Sequence, residues 1–561
     1  MKNYFSLIIV LFYGCERKEI SKSDIFSAEK ISGLSFTSSE RDSLVPNVIQ
    51  RVEQYNSLRE IELHNDTPFP LLYDPLPIGL KPPRGRDQFK FNDIKTSLPD
   101  NKNIEACAFM TIPELAYLIR TRQVTSEALT RMYIDRLKRY KDQLQCVVTI
   151  TEELAIKQAK KADIEIARGQ YKGLLHGIPW GAKDLLSVPG YKTTWGATPF
   201  KDQVIDDKGT VVKKLEEAGA ILVAKLTLGA LAWGDVWFGG KTKNPWDTQQ
   251  GSSGSSAGPG SATAAGLIGF SIGSETWGSI ISPANRNGVT GLRPSFGTVS
   301  RSGAMALSWT MDKLGPMTRS VEGAAIIFET IRGSDNIDRT VRDVPFIYPS
   351  KRGLRNLRIG YVASAFADSS VSNNDKASLN ILNSMGLNLI PIELPKFPTE
   401  ALSFVLQAEA AAAFDDLTRS NKDDQLVRQS KNAWPNVFRE ARFIPAVEYI
   451  NANRARTLLN KKMSELMEKI DVYIIPSFYG DNLLRTNLTG HPCVVVPNGF
   501  DDKGRPTSIS FVGQLYGEGN TLAIAKVYQE ATGWHKKYPP EFNNFKSVSY
   551  THLTLPTTPY V

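Results

Sequence analysis

The sequence has few of the residues that most often hold metals or form disulfides. Its 561 residues include four cysteines and five histidines. The cysteines, at positions 15, 107, 146 and 493, are too widely spaced for a disulfide framework or a zinc pattern. No two histidines have the spacing that would place two ligands on one helical face. We therefore predict no metal site, and we predict buried, inert thiols at Cys146 and Cys493, which lie in apolar runs.

The sequence also lacks a long block of basic residues. Its 67 basic residues are mixed with 58 acidic ones, and the net charge is +9. This distribution is typical of a mildly basic globular surface and argues against binding to nucleic acid. Hydrophobic residues make up 41% and charged residues 22% of the chain, which excludes a disordered or fibrous protein.

No hydrophobic run is long enough to span a bilayer, but the N-terminus has a distinct pattern. Lys2 precedes an almost wholly apolar run at 5–13, far shorter than the roughly 20 residues of a membrane-spanning helix. Gly14 stands directly before Cys15, as in a bacterial lipoprotein signal. We predict that residues 1–15 are a signal peptide of this type. The protein is then exported to the bacterial envelope and held at the membrane by a lipid on Cys15. An ordinary signal peptide or a buried strand is the alternative.

Helix and strand patterns alternate along most of the chain. Thr111 and Glu114 form a capping-box pair, and a second helix is predicted to begin near Ser126. Short β-branched runs, such as 221–224, predict strands between the helices. This alternation predicts an α/β fold with a mixed β-sheet core and helices on both faces.

The domain organisation follows from changes in composition. We predict one large domain over residues 108–545, with a helical insert near the pocket at about 400–470. Residues 16–107 are rich in serine, proline and charge, and are predicted to form a tether and an extended arm around the main body. Residues 546–561 are predicted to be an irregular tail outside the fold, of native or non-native origin.

Glycine and serine are concentrated between residues 251 and 279. The segment 251–260 reads GSSGSSAGPG, and SETWGS follows at 274–279. Such stretches are usually flexible linkers, but apolar, ordered-looking sequence flanks this one. Small residues at this density predict a backbone that approaches a ligand closely.

Two known loop motifs fit this region poorly. Residues 234–242 end in Gly-Gly-Lys-Thr, but the spacing is one residue too long for a phosphate-binding loop. The G-x-S-x-G elbow of an α/β-hydrolase is matched around Ser256, and His491 or His535 could serve as its base. That elbow requires a buried strand before it, and residues 244–250 do not have the pattern of one. The elbow remains an alternative.

A third possibility is a serine hydrolase in which lysine is the base. Lys183 lies in the segment HGIPWGAKD, which is apolar and interrupted by glycine. A lysine usually lies on a solvated face, but burial disfavours its charged form and lowers its pKa. A neutral lysine can accept a proton from a hydroxyl group and so activate a serine.

Several motifs together resemble the amidase signature family. They are HGIPWGAKD, GSSAGPGSATAAGLIGFSIGSETWGS, GLRPSFG, LGPMTRS and NLTGHP. They occur in the family's order, and the similarity extends from about residue 111 to about residue 538. The sequence is similar to the A subunit-like amidases of bacteria. This implies hydrolysis of a carboxamide C–N bond to a carboxylate and an amine or ammonia, without a cofactor.

The resemblance also implies the catalytic residues. Carried over by position, the family's lysine is Lys183, its relay serine after a cis peptide bond is Ser255, and its nucleophile is Ser279. The two serines are 279 − 255 = 24 positions apart, as in the family, which excludes Ser252 and Ser253. The implied oxyanion hole consists of the backbone N–H groups of Thr276, Trp277, Gly278 and Ser279.

This chain departs from the family's pattern at three places. Glu275 stands where many members have aspartate, and Trp277-Gly278 stands where many have two glycines. Ile281 replaces an arginine that usually follows the nucleophile by two positions. We therefore expect the supporting ion pair to be altered, with an effect on pocket shape and substrate more than on the type of reaction.

Two rival functions share this fold. One is the glutaminase-type A subunit of a tRNA-dependent amidotransferase, which works with a second subunit in the cytosol; the signal at 1–15 argues against it. The other is a catalytically silent envelope scaffold, against which the presence of all three relay residues argues. The expected partner is a small-molecule amide. The sequence identifies neither the particular amide nor the oligomeric state.

Overall fold

The structure is a computed structural model that describes residues 20–91, 94–98, 103–349 and 353–543. The chain divides into two compact units, and the division falls between Thr67 and Pro68. The predicted signal peptide with its Cys15 and the predicted tail at 546–561 lie outside the described residues.

The first unit contains two helices, α1 (Lys22–Ser32) and α2 (Ser38–Leu58). Each begins with a capping box, in which an acidic side chain accepts a hydrogen bond from the backbone N–H of the cap residue. Asp24 accepts from Ser21, and Glu40 accepts from Thr37. Both helices lie within residues 16–107, the segment predicted to form a tether and an arm, and their helix-start signals are present in the sequence.

The second unit begins with an extended segment, residues 68–91, which we call the arm. It contains strand β1 (Gln88–Phe89), which pairs in parallel with β12 (Ile347–Tyr348). A buried 3₁₀ turn follows at Ile104–Phe109. The arm belongs to the same compact unit as the sheet.

The core of the second unit is a mixed sheet of eleven strands. They are β2 (Val147–Ile150), β3 (Pro179–Lys183), β4 (Ile221–Leu226), β9 (Phe270–Glu275), β10 (Thr290–Arg293), β11 (Lys313–Thr318), β13 (Ile359–Val362), β14 (Leu389–Ile392), β15 (Val472–Pro476), β16 (Cys493–Phe500) and β17 (Pro506–Gly513). Their order across the sheet is β14-β13-β15-β17-β16-β10-β11-β9-β3-β4-β2. Parallel and antiparallel pairs both occur, which confirms the predicted α/β class with a mixed sheet.

Two short ribbons lie outside this sheet. One pairs β5 (Val236–Trp237) with β6 (Gly240–Lys241), and the other pairs β7 (Lys243–Asn244) with β8 (Asp247–Gly251). Residues 244–250 therefore do include a strand, but it pairs only within its ribbon and is not a buried strand of the central sheet.

The helices of the second unit connect and surround the strands. They are α3 (Ile112–Arg120), α4 (Ser126–Leu144), α5 (Glu152–Ala167), α6 (Thr210–Glu217), α7 (Ala257–Ala264), α8 (Ile281–Asn287), α9 (Val321–Ile331), α10 (Ala363–Ala367), α11 (Asn373–Ser384), α12 (Phe404–Ala413), α13 (Asp415–Arg419), α14 (Trp434–Ala441), α15 (Ala446–Met467), α16 (Asn482–Thr489) and α17 (Glu518–Thr532). The capping box at Thr111 and the helix start at Ser126 are confirmed. No helix in the described part of the chain is both long and apolar enough to cross a bilayer.

The predicted insert at 400–470 is helical in the structure. It comprises α12, α13, α14 and α15. The longest of these four helices is α15, which spans Ala446–Met467.

The thiols in the two apolar runs are buried, as predicted. Cys146 is fully buried and Cys493 is 3% exposed. Burial raises the pKa of the Cys146 thiol to about 12 and that of Cys493 to about 11. Because the thiolate is the reactive form, both side chains are inert at neutral pH.

Candidate active site

Lys183 ends β3, a strand in which every residue is buried. Its Nζ atom lies 2.8 Å from Ser255 Oγ, 2.8 Å from Ser274 Oγ and 3.0 Å from Ser256 Oγ. Burial drives the pKa of Lys183 well below its ordinary value, although the nearby Asp312 carboxylate acts in the opposite direction. A fully buried amine surrounded by hydroxyl groups, with a lowered pKa, can accept a proton from one of them.

Ser255 follows a cis peptide bond from Gly254, the bond that the family resemblance implies. A Cβ atom at Gly254 would lie 1.9 Å from the carbonyl oxygen of Gly234, so only glycine fits there. A Cβ at Gly258, in α7, would lie 2.5 Å from the carbonyl oxygen of Cys146. At these two glycines the chain therefore lies close to the backbone of other segments of the protein.

Ser279 lies in the short loop 276–279, which connects β9 to α8. We call this segment the oxyanion loop, after its expected role. Gly278 adopts φ +88°, which favours glycine, and Ser279 is 8% exposed. The N–H of Ser256 donates to the Ser279 carbonyl oxygen at 3.1 Å, and this bond ties the two serine segments together. Among the described residues, the structure records no protein acceptor for the N–H groups of this loop.

The side chain of Glu275 supports the oxyanion loop from behind. One of its oxygens accepts the N–H groups of Ile280 and Ile281, at 2.8 and 2.9 Å. The other accepts a bond from Arg293 at 2.9 Å and one from Asn487 at 2.8 Å. Burial alone raises the pKa of the Glu275 carboxyl, but the Arg293 charge and these hydrogen bonds outweigh it and hold the pKa below its ordinary value.

In this chain the ion pair that supports the oxyanion loop joins Glu275 to Arg293. With isoleucine at position 281, the positive partner of Glu275 comes from β10, where Arg293 ends the strand and is fully buried. Arg293 also donates to the carbonyl oxygen of His491 at 2.9 Å, in the segment that follows α16. Arg293 lies within the motif GLRPSFG, but sequence reasoning assigned it no separate role, since its partner lies 18 positions away.

Asp312 is a second residue that sequence reasoning missed. Its Oδ1 accepts the hydroxyl of Thr276 at 2.5 Å, and its Oδ2 accepts the N–H groups of Leu307 and Ser308. The side chain is half-buried, and burial raises the pKa of its carboxyl. Asp312 thus joins the first residue of the oxyanion loop to a turn 36 positions further along the chain.

The alternative motifs are not assembled as sites. Ser256 is fully buried, and its hydroxyl donates to the carbonyl oxygen of Ser274 at 3.1 Å. His491, a possible base for the hydrolase elbow, bonds instead to the hydroxyl of Thr489 at 2.8 Å. Residues 234–242 form the β5–β6 ribbon and not a loop that opens a helix, so they do not make a phosphate-binding loop.

A buried ion pair lies directly beside Lys183. Asp184 and Lys225, on the neighbouring strand β4, are both fully buried, and their charged groups are 2.8 Å apart. Lys225 also donates to the hydroxyl of Thr193 at 2.9 Å, and Asp184 accepts the Thr194 N–H at 2.8 Å. The pair therefore anchors the end of the strand that carries Lys183.

We expect Lys225→Met to lower the free energy of unfolding by about 3–5 kcal/mol, because Asp184 then remains as a buried charge without its partner. The matched control is Lys192→Met, which removes the exposed lysine of the Lys192–Asp202 pair. That change is expected to cost at most about 1 kcal/mol. Urea denaturation of the three proteins measures both values, and equal losses would contradict a special role for the buried pair.

Comparisons with known sequences identify the family to which the chain is similar. The family model described as Amidase matches residues 128–522. The chain is 32% identical to the A subunit of the glutamyl-tRNA(Gln) amidotransferase from Picosynechococcus sp. over 479 residues, with 75% of this chain and 98% of that protein covered.

Solved structures agree with this result. The native peptide amidase from Stenotrophomonas maltophilia superposes with a TM-score of 0.69 at 26% identity, covering 78% of this chain and 100% of that one. A bacterial aryl acylamidase of the amidase signature enzymes gives a TM-score of 0.68 at 20% identity, covering 76% and 98%, which shows the shared fold alone.

Proposed function

The chain belongs to the amidase signature family and hydrolyses amide C–N bonds, and from this premise we propose that Ser279, Ser255 and Lys183 form its catalytic relay. The observation that carries this proposal is the 2.8 Å hydrogen bond between the buried Lys183 amine and Ser255 Oγ. This bond joins residues that are 72 positions apart in the sequence. The hydrogen bond from the Ser256 N–H to the Ser279 carbonyl oxygen connects them to the oxyanion loop.

In the proposed reaction, neutral Lys183 accepts the proton of Ser255 while Ser255 accepts that of Ser279. Ser279 Oγ attacks the amide carbonyl carbon and forms a tetrahedral intermediate. The relay then returns its proton to the leaving nitrogen, the C–N bond breaks, and amine or ammonia departs. Water, activated through the same relay, hydrolyses the Ser279 acyl ester and releases the carboxylate.

The oxyanion of that intermediate is proposed to bind to the backbone N–H groups of the oxyanion loop. Support comes from the free donors in residues 276–279 and from the two carboxylates that fix the loop, Glu275 and Asp312. Loss of one such donor commonly lowers kcat by about 10²–10³-fold. Because the donors are backbone groups, the identity of the Trp277 side chain matters less to this step than the shape of the loop.

Acyl transfer to hydroxylamine tests the proposed acyl-enzyme. Purified protein is incubated with a panel of peptide amides, aryl acylamides and small aliphatic amides, with and without hydroxylamine. We expect at least one amide to yield its carboxylate, and to yield the hydroxamate when hydroxylamine is present, because hydroxylamine competes with water for the acyl ester. Hydrolysis with no hydroxamate would contradict a Ser279 ester intermediate.

Glutamine belongs in the same panel, because the chain is similar to the A subunit of an amidotransferase. If glutamine were the only amide consumed, the glutaminase function would replace the general amidase. The signal pattern at residues 1–15 argues against a cytosolic amidotransferase subunit and favours a carboxamide outside the cytosol. The proposed substrate class is thus a small or extracellular carboxamide.

The location of the protein is a separate proposal. The pattern at residues 1–15 supports an exported protein that is held at the bacterial membrane by a lipid on Cys15. Expression in bacteria supplied with a labelled fatty acid should label the wild type but not Cys15→Ser. Equal labelling of both proteins would contradict the lipid anchor.

A further inference from the structure

The arm, residues 68–91, lies outside the part of the chain that matches the family model, which begins at residue 128. It nevertheless packs against the loop 307–312, which carries Asp312. Phe69 and Trp309 have ring centroids 5.5 Å apart.

Tyr73 makes the second and stronger contact of the arm. The guanidinium carbon of Arg456, in α15, lies 3.6 Å from the centroid of the Tyr73 ring. The Tyr73 hydroxyl donates to the carbonyl oxygen of Leu488 at 2.8 Å and accepts a bond from Asn460 at 2.8 Å. The ring therefore stacks on the arginine, and the hydroxyl fastens it to α16.

Arg456 is a buried charge that needs this ring. It is 1% exposed, and the structure records no carboxylate paired with it among the described residues. Its hydrogen bonds go to neutral oxygens: the carbonyl of Leu488, and the carbonyl and hydroxyl of Thr310. An aromatic face over a desolvated guanidinium adds a favourable negative potential to these neutral contacts.

From Thr310 the network reaches the oxyanion loop. Thr310 donates its N–H and its hydroxyl to Glu409 of α12, and the Ser308 hydroxyl donates to the same carboxylate at 2.6 Å. The N–H of Ser308 donates to Asp312 at 2.9 Å. Asp312 in turn accepts the hydroxyl of Thr276. Each step is a direct contact between buried or half-buried groups.

We propose that the arm is a part of the catalytic unit, and that Tyr73 is a positioning residue for the oxyanion loop. By stacking on Arg456, Tyr73 fixes Thr310 and with it the loop 307–312, so that Asp312 holds Thr276 in place. Misplacement of catalytic groups by even 1 Å can lower rates by about 10²-fold. This inference builds on the proposed function of residues 276–279 and adds to it a requirement for the arm.

The test compares three variants of the full-length protein. Tyr73→Leu removes the ring and the hydroxyl, whereas Tyr73→Phe keeps the ring over Arg456. In Tyr73→Phe the Leu488 carbonyl still has the bond from Arg456 Nε. The control is Tyr117→Leu in α3, a tyrosine that also lies beside an arginine, Arg120, but outside this network.

The measured quantities are the rate of covalent labelling by a fluorophosphonate, kcat and KM for an amide, and the thermal midpoint. We expect Tyr73→Leu to lower the labelling rate and kcat at least about tenfold, with a smaller change in KM, because nucleophile and oxyanion geometry are affected. Tyr73→Phe and Tyr117→Leu should stay within about threefold of the wild type.

If Tyr73→Leu fails to fold, Thr310→Val tests the same network without a change in the arm. It removes the hydroxyl that bonds to Arg456 and Glu409. It should lower kcat in the same way, and its effect should not add to that of Tyr73→Leu in the double variant. A lowered thermal midpoint with wild-type labelling rate and kcat would overturn the proposal, as would a Tyr73→Phe protein as slow as Tyr73→Leu. A wild type that is not labelled at all would instead overturn the proposed function.

Discussion

Replacing Ser279 with alanine is expected to lower amide hydrolysis by at least about 10⁴-fold and to abolish labelling by a fluorophosphonate. The hydroxyl of Ser279 is the proposed site of the covalent bond in both reactions, so no other group can restore the acyl ester. The fold should be unaffected, because the loop is held by Glu275 and Asp312 and by the carbonyl oxygen of residue 279, which alanine retains.

The matched control is Ser253→Ala, which removes a serine hydroxyl from the same glycine- and serine-rich region. Ser253 is excluded from the relay by its distance in sequence from the nucleophile, and it should label at the wild-type rate. Mass spectrometry of the labelled wild type should locate the phosphonate on Ser279. Labelling that survives Ser279→Ala and disappears with Ser256→Ala would contradict the relay and favour the hydrolase elbow.

Replacing Lys183 with methionine is expected to lower kcat by about 10²–10⁴-fold, the usual contribution of a general base. Methionine fills a similar volume, so the packing at the end of β3 is preserved. Because the relay acts as a unit, the double variant Lys183→Met/Ser255→Ala should lose little more activity than the more damaging single change. Additive losses would contradict a shared proton relay.

The pH dependence gives a second measurement on the same residue. Burial lowers the pKa of Lys183, and the relay needs the neutral amine, so kcat/KM should fall as the pH decreases through that lowered pKa. At higher pH the rate should reach a plateau. Lys183→Met should lose this acidic limb, because the titrating group is gone.

Lys313 provides a matched control for the dependence of kcat/KM on pH. It is also buried, burial lowers its pKa well below the ordinary value, and its amine lies 3.5 Å from the Asn487 carbonyl oxygen. Lys313→Met should retain the acidic limb. A limb that vanishes in Lys313→Met and persists in Lys183→Met would show that Lys183 is not the base.

The same depressed pKa has a consequence for stability. Because the pKa of Lys183 is lower in the folded chain than in the unfolded chain, the unfolded chain binds more protons between the two pKa values, and the free energy of unfolding should increase with pH until the ordinary lysine pKa is reached. Lys183→Met removes this penalty. Its thermal midpoint should exceed that of the wild type at neutral pH, and the difference should shrink as the pH rises towards about 10, which scanning calorimetry can follow.

Local signals in the sequence were sufficient for many elements and for the relay residues. The capping box at Thr111 begins a helix, and the apolar run at Ile221–Leu226 forms a buried strand. Both were predictable because a cap or a buried strand is encoded within a few neighbouring residues. The missed helices α1 and α2 carry the same signal. Their boxes at Ser21 and Thr37 were outweighed by the polar composition around them.

The sequence by itself determined the family, the α/β class and the three residues of the proposed relay, since each motif is contiguous and the motifs follow one another in a fixed order. Only the tertiary structure decided which groups support them. Arg293 meets Glu275, Asp312 meets Thr276, and Tyr73 meets Arg456 across separations of 18, 36 and 383 positions (456 − 73). These partners are brought together by sheet register and by the packing of the arm and α15. No local pattern in the sequence predicts such contacts, because their geometry exists only after the chain has folded.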